Sequence, residues 1–103
     1  MTIISKIFYA GTDAFFSVFL LFIAPPIVWS DTVAFFLFGR ALMTFVGASI
    51  PPYTMQSKVF YGGGDFLLGL FFLANAGALG GPAGNIGTFL AIRATMTWIG
   101  IEL

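Results

Sequence analysis

The sequence predicts an all-α integral membrane protein with four transmembrane helices, arranged as two tandem helical hairpins in parallel orientation. Three observations predict this fold. Hydrophobic residues make up 59% of the 103 residues and charged residues only 8%, whereas a soluble domain is about 25% charged. Turn residues separate four apolar stretches, and two segments of the first half recur in the second half in the same order.

The low charge content indicates an exterior that faces lipid, because so few charged groups would not cover a surface in water. The formal net charge is zero, so no basic surface favours nucleic acid as a partner. The chain has no Cys and no His, which excludes disulfides, thiolate chemistry and imidazole ligation of a metal or haem. We expect no cofactor and no metal site, with bound lipid as the one non-protein component.

An internal repeat relates the two halves of the chain. Residues 5–13 match residues 57–65 at six of nine positions, with an offset of 52 residues. Residues 40–47 match residues 93–100 at five of eight positions, with an offset of 53 residues. Similar composition explains matched Phe and Leu, but not matched Lys, Tyr, Asp and Arg. The pattern indicates tandem duplication.

The repeat divides a single membrane domain into repeat 1 at about 5–50, a linker at about 51–56 and repeat 2 at about 57–103. A helix needs about 20 apolar residues to cross the hydrocarbon core. The candidate helices lie near residues 9–29, 32–50, 64–79 and 85–101. The third is short. Pro25-Pro26 is expected to kink the end of the first helix, and Ser30-Asp31 to turn the chain.

The two lysines predict the orientation in the membrane. Two spans separate Lys6 from Lys58, so both face one compartment, which the positive-inside rule makes the cytoplasm. Both termini would then be cytoplasmic. Tyr9 and Tyr61 lie one turn further on, and we expect these four residues to be interfacial anchors.

Four other charged residues occur at or within the predicted spans. Asp13 and Asp65 are expected in the first turn of the first and third helices, where an acid complements the helix dipole. Arg40 and Arg93 lie about eight residues into their spans. An arginine near the bilayer middle costs several kcal/mol unless it is paired, reaches the interface or faces water. These four residues are therefore candidates for assembly or lipid contact.

Three arrangements would satisfy the two arginines. One is an ion pair with the aspartate of the same hairpin, another is a contact with a second subunit or a lipid phosphate, and the third is a place on a water-lined path. If the first turn is centred on Ser30-Asp31, Arg40 faces about Leu21, and Asp13 lies roughly 12 Å away along the helix axis. A direct pair then requires the two helices to be staggered.

Catalysis is not expected, because no nucleophile–base pair can be assembled from these residues. The favoured function is a non-catalytic membrane building block, either a self-assembling subunit or an accessory subunit of a larger membrane complex. Its partners would be membrane lipids and other copies of itself or other membrane subunits. Two alternatives remain open: a small oligomeric channel or transporter with arginines along its path, and a pilin-like or coat-like subunit of a lipid-containing helical assembly.

Overall fold

Helices form all the regular structure in a computed structural model of the chain, which describes residues 2–48, 50–51 and 54–101. Within these ranges the protein is all-α, as the sequence predicts. The helices are α1 (Ile3–Ile23), α2 (Ser30–Phe45), α3 (residues 55–74), α4 (Ala76–Leu79) and α5 (Ala83–Trp98). The chain divides between residues 49 and 50 into two compact units, the first containing α1 and α2 and the second α3 to α5.

The first helix of each unit begins earlier than the hydropathy pattern predicts. The Thr2 hydroxyl accepts a hydrogen bond from the Ser5 N–H at 3.1 Å and so caps α1. Thr54 caps α3 through the Ser57 N–H at the same distance. The expected position of the aspartates in a first turn is therefore wrong, since each aspartate lies ten positions after the first residue of its helix.

The last helix of each unit is followed by a glycine with left-handed backbone. Gly47 has a φ of 83° after α2, and Gly100 has a φ of 90° after α5. The next N–H in each case turns back to a carbonyl five residues earlier, from Ala48 to Met43 and from Ile101 to Met96. This pattern satisfies carbonyls that a helix end would otherwise leave open. The predicted helix ends at residues 50 and 101 therefore lie beyond the observed ones.

Among the described residues, α1 is the one helix that is long and apolar enough to cross a membrane by length and composition. It has 21 residues and a mean hydropathy of 1.5. The α2 and α5 helices have 16 residues each. At 1.5 Å per residue they are about 24 Å long, which is shorter than a hydrocarbon core of about 30 Å.

In the first unit, α1 and α2 run antiparallel. Near one end the Lys6 ammonium donates to the Phe45 carbonyl at 3.3 Å. Towards the other end the buried Ser17 hydroxyl donates to the Ala34 carbonyl at 2.9 Å. Because residue numbers rise along one helix as they fall along the other, the chain reverses direction near Pro25-Pro26.

In the second unit, α3 and α5 are antiparallel and approach closely through glycines. A Cβ added to Gly87 would lie 3.0 Å from the Gly69 carbonyl oxygen. These two residues match Ser17 and Ala34 of the first unit at the repeat offsets. The second hairpin thus packs backbone against backbone where the first has a side-chain hydrogen bond.

The ring of Trp98 packs against α3 at a position where α3 has a glycine. The Trp98 indole N–H donates to the Lys58 carbonyl at 3.0 Å. A Cβ on Gly62 would overlap that indole nitrogen. At the matched positions the first unit has Ala10 and Phe45. The second unit thus combines the smaller residue, glycine, with the larger ring, tryptophan, and the first unit combines alanine with phenylalanine.

This packing predicts that Gly62→Ala lowers the free energy of unfolding by about 1–3 kcal/mol, as overpacking does elsewhere. Combining it with Trp98→Phe recreates the Ala–Phe pair of the first unit and should recover most of the loss. Gly77→Ala is the control, because a Cβ at Gly77 has no atom within 4 Å. Unfolding by SDS in mixed micelles, followed by circular dichroism, measures all three variants. Equal stabilities of the Gly62→Ala and Gly77→Ala proteins would contradict the prediction.

Candidate functional site

A buried ion pair joins the two helices of the first unit. The Arg40 Nε donates to Asp13 Oδ2 at 2.7 Å, and Arg40 Nη2 donates to Asp13 Oδ1 at 3.0 Å. Both side chains are 0% exposed. Two parallel charge-assisted bonds fix the orientation as well as the separation of the two groups, so the pair sets the register of α1 against α2.

The second unit contains a pair of the same geometry. Arg93 Nε donates to Asp65 Oδ2 at 2.7 Å, and Arg93 Nη2 donates to Asp65 Oδ1 at 2.9 Å. These side chains are also 0% exposed. Each unit therefore neutralises its buried arginine with its own aspartate.

Each arginine has the same local environment on its own helix. The guanidinium carbon of Arg40 lies 5.6 Å from the Phe36 ring centroid, and that of Arg93 lies 5.6 Å from the Phe89 ring centroid. These distances are in the range of cation–π attraction. One turn later, the hydroxyls of Thr44 and Thr97 donate to the arginine carbonyls at 2.9 and 3.1 Å. The two threonines occupy matched positions of the repeat, but neither hydropathy nor charge marks them as part of a site.

A widened, π-helical stretch precedes each aspartate. It covers Ile7–Gly11 in α1 and Lys58–Gly63 in α3, and each stretch ends two residues before the aspartate. Wider turns of this kind occur frequently at functional sites. Because an added residue in a turn rotates every later side chain about the axis, these stretches influence which face each aspartate occupies. Hydropathy and charge gave no sign of them.

The Asp13–Arg40 pair can form because the first turn lies earlier than the sequence predicts. Helix α1 ends at Ile23, and residues 24–29 reverse the chain before Ser30. The expected turn centre at Ser30-Asp31 is therefore wrong, and so is the separation of roughly 12 Å. With the turn shifted towards Pro25-Pro26, Asp13 lies opposite Arg40. Of the three arrangements considered for the arginines, the ion pair within a hairpin is the one observed.

The four residues expected at the interface occupy two kinds of environment. Tyr9 and Tyr61 are buried, each with 3% of its surface exposed. Lys6 and Lys58 are partly exposed. An anchoring role for these four residues remains a prediction.

Each site consists of two oppositely charged side chains, which together carry no net charge and have no exposed surface. Such a pair can hold two helices in one register, but it presents no group to a substrate in solution. In the part of the chain that the structure describes, no cluster of three or more His, Cys, Asp or Glu side chains could hold a metal ion. Comparison with protein-family models, curated proteins and solved structures gives no match.

The geometry predicts opposite outcomes for single and double replacements. Asp13→Leu or Arg40→Leu leaves an uncompensated buried charge and should lower the free energy of unfolding by about 3–5 kcal/mol. The double variant removes both charges and should be close to the wild type in stability. SDS unfolding in micelles measures each variant, with Asp31→Asn as a control for an exposed acid on α2. Additive losses in the double variant would disprove the coupling.

Proposed function

We propose that the protein is a non-catalytic integral membrane building block, which assembles with copies of itself or with other membrane subunits. In this proposal the chain crosses the bilayer four times, as two tandem hairpins that arose by duplication and share one orientation. Membrane lipids surround it, and the buried ion pairs hold the two helices of each hairpin in one register.

The observation that carries the proposal is the distribution of polarity. The two aspartates and two arginines of the pairs are buried, together with Ser, Thr and Tyr side chains, while large apolar side chains dominate the exposed surface. Among the most exposed are Phe22, Val28, Phe35, Val46 and Leu67. Water favours the reverse distribution, whereas lipid favours an apolar exterior and paired charges inside.

The short helices are compatible with four spans if apolar residues beyond their ends also lie in lipid. Val46 follows α2 and is 76% exposed, and Ile99 and Ile101 follow α5 with more than half of their surface exposed. A span shorter than the hydrocarbon core is accommodated by local thinning of the bilayer at a modest cost. We therefore include α2 and α5 among the proposed spans.

Assembly is supported by a small-residue notch on the exposed side of α2. Gly39 is exposed, and a Cβ placed on it would have no atom within 4 Å. Phe35 precedes it by one turn and Leu42 follows by one turn, and both are exposed. Small residues on a helix surface allow a second membrane helix to approach closely, so this side of α2 suits a contact with another subunit.

The mass of the particle extracted in mild detergent tests the assembly. We expect more than one chain per particle in the wild type, and a shift towards one chain in Gly39→Leu, because the leucine side chain fills the notch and its Cβ has no atom of the monomer within 4 Å. Phe35→Leu is the matched control, since it keeps the notch and an apolar neighbour. Light scattering coupled to size exclusion gives the mass. A wild-type particle with one chain and no other protein would defeat the proposal.

Cysteine labelling tests the four-span topology in this Cys-free chain. Single cysteines at the exposed positions Ile4 and Gln56 should react from the cytoplasmic side, and a cysteine at Asp31 from the opposite side. A membrane-impermeant maleimide applied to whole cells and to inverted vesicles measures the accessibility of each site. Reaction of the first two sites from opposite sides would refute the topology.

A further inference from the structure

The turn between α1 and α2 holds a bulky residue in an unusual backbone conformation. Trp29 has a φ of 73° and a ψ of −4°, in the left-handed region that large side chains rarely adopt. Hydrogen bonds close the turn around it: the Ser30 N–H donates to the Ile27 carbonyl at 3.1 Å, and the Ile27 N–H donates to the Ser30 hydroxyl at 3.2 Å.

The residues at the tip of this turn are apolar and exposed. Trp29 is 69% exposed and Val28 is 76% exposed, and Phe22 and Ile23 at the end of α1 are similarly open. From residue 22 to residue 29 the indole N–H is the only side-chain group that can form a hydrogen bond. The first charged side chain after the turn is the exposed Asp31.

The backbone N–H groups of the first four residues of the turn do not need water as a hydrogen-bond partner. The Ala24 N–H donates to the Phe19 carbonyl at 2.8 Å, and the Ile27 N–H donates to Ser30. Pro25 and Pro26 have no N–H group. Every N–H donor from residue 24 to residue 27 is therefore used within the protein, which lowers the penalty for placing this loop in a medium of low polarity.

The corresponding turn of the second unit shows that the reversal does not require tryptophan. There the left-handed positions are occupied by Gly80 and Gly81, with φ values of 71° and 52°, followed by Pro82. Glycine adopts such angles without strain. A large aromatic residue at Trp29 thus needs another explanation than the turn itself.

We propose that the turn of residues 24–29 is an interfacial anchor, which inserts Trp29 and its apolar neighbours at the boundary between the headgroups and acyl chains of a lipid bilayer. This inference rests on the proposed membrane function. An indole combines a large apolar body with one N–H donor, and that combination favours this boundary. Asp31, two residues further on, remains in the aqueous layer.

Tryptophan fluorescence tests the anchor, because the chain has only two tryptophans. Replacing Trp98 leaves Trp29 as the sole tryptophan, which is excited selectively at wavelengths that tyrosine does not absorb. The Gly62→Ala/Trp98→Phe protein does so while restoring the small-and-large pair of the first unit, and Trp98→Phe alone is the second background. Each protein is reconstituted into phosphatidylcholine vesicles that contain lipids brominated either close to the headgroup or near the chain end.

We expect Trp29 to be quenched more strongly by the shallow bromines than by the deep ones, and less by iodide in the buffer than a tryptophan in water. Trp29→Asn in the wild-type background is the companion, since asparagine tolerates left-handed backbone. It should lose the emission of Trp29, so that the quenching that remains is that of Trp98 alone.

Three results would overturn the anchor. Strong quenching by iodide with none by brominated lipid would place the tip in water. Quenching by neither would mean that protein covers it. Deep bromines quenching more strongly than shallow ones would place it in the bilayer interior. Flotation of the vesicles separates these results from a failure of the proposed function: a protein that does not float with lipid is not a membrane protein, whereas one that floats with an unquenched Trp29 refutes the anchor alone.

Discussion

The buried aspartate–arginine pair is the constraint on which each hairpin depends. An arginine inside a helical hairpin is tolerated when a carboxylate meets it with matching geometry. In both units that geometry is a two-bond contact between Nε, Nη2 and the two carboxylate oxygens. We infer that the pair contributes mainly by selecting one register, because buried ion pairs seldom add more net stability than apolar residues would. A hairpin that slips by one turn would separate the charges and leave both buried.

Around this common pair the two hairpins are packed differently. In the first unit, a serine hydroxyl bonds a carbonyl across the hairpin, and the second unit brings two glycines together at the matched place. The ring of Trp98 occupies space that the missing side chain of Gly62 leaves open. The ion pair therefore tolerates different packing around it, since its two bonds define the register while the neighbouring residues only have to fill the remaining space.

Neutralising charge in the interior also explains how the exterior can be so apolar. With four charged side chains paired inside, the flanks of α1, α2 and α3 carry phenylalanine, leucine and isoleucine or valine outwards. The same principle extends to the first turn, whose early backbone donors are used internally and whose tip exposes Val28 and Trp29. Lipid contact at the flanks and interfacial contact at the tip would then follow from one distribution of polarity, and this distribution links the proposed function to the proposed anchor.

The helical class follows from the amino-acid sequence alone, which also marks the charged residues that need partners. Few charges and long apolar stretches predict helices, and the matched Asp13, Arg40, Asp65 and Arg93 mark the residues that need an explanation. Helix starts were predicted late because Ser5 and Lys6 lower the local hydropathy, although the Thr2 cap lets α1 begin before them. Composition reports the average polarity of a segment, but a cap depends on one side chain.

The pairing of these charged residues depends on the three-dimensional packing. Whether Asp13 meets Arg40 depends on where the chain reverses, and a few residues of difference in the turn move the side chains by several ångströms at 1.5 Å per residue. The widened turns before the aspartates and the burial of Tyr9 and Tyr61 likewise depend on how two helices fit together. A linear pattern records which groups must find partners. The packing of both helices together sets the position of those partners. That position therefore cannot be read from any single stretch of sequence.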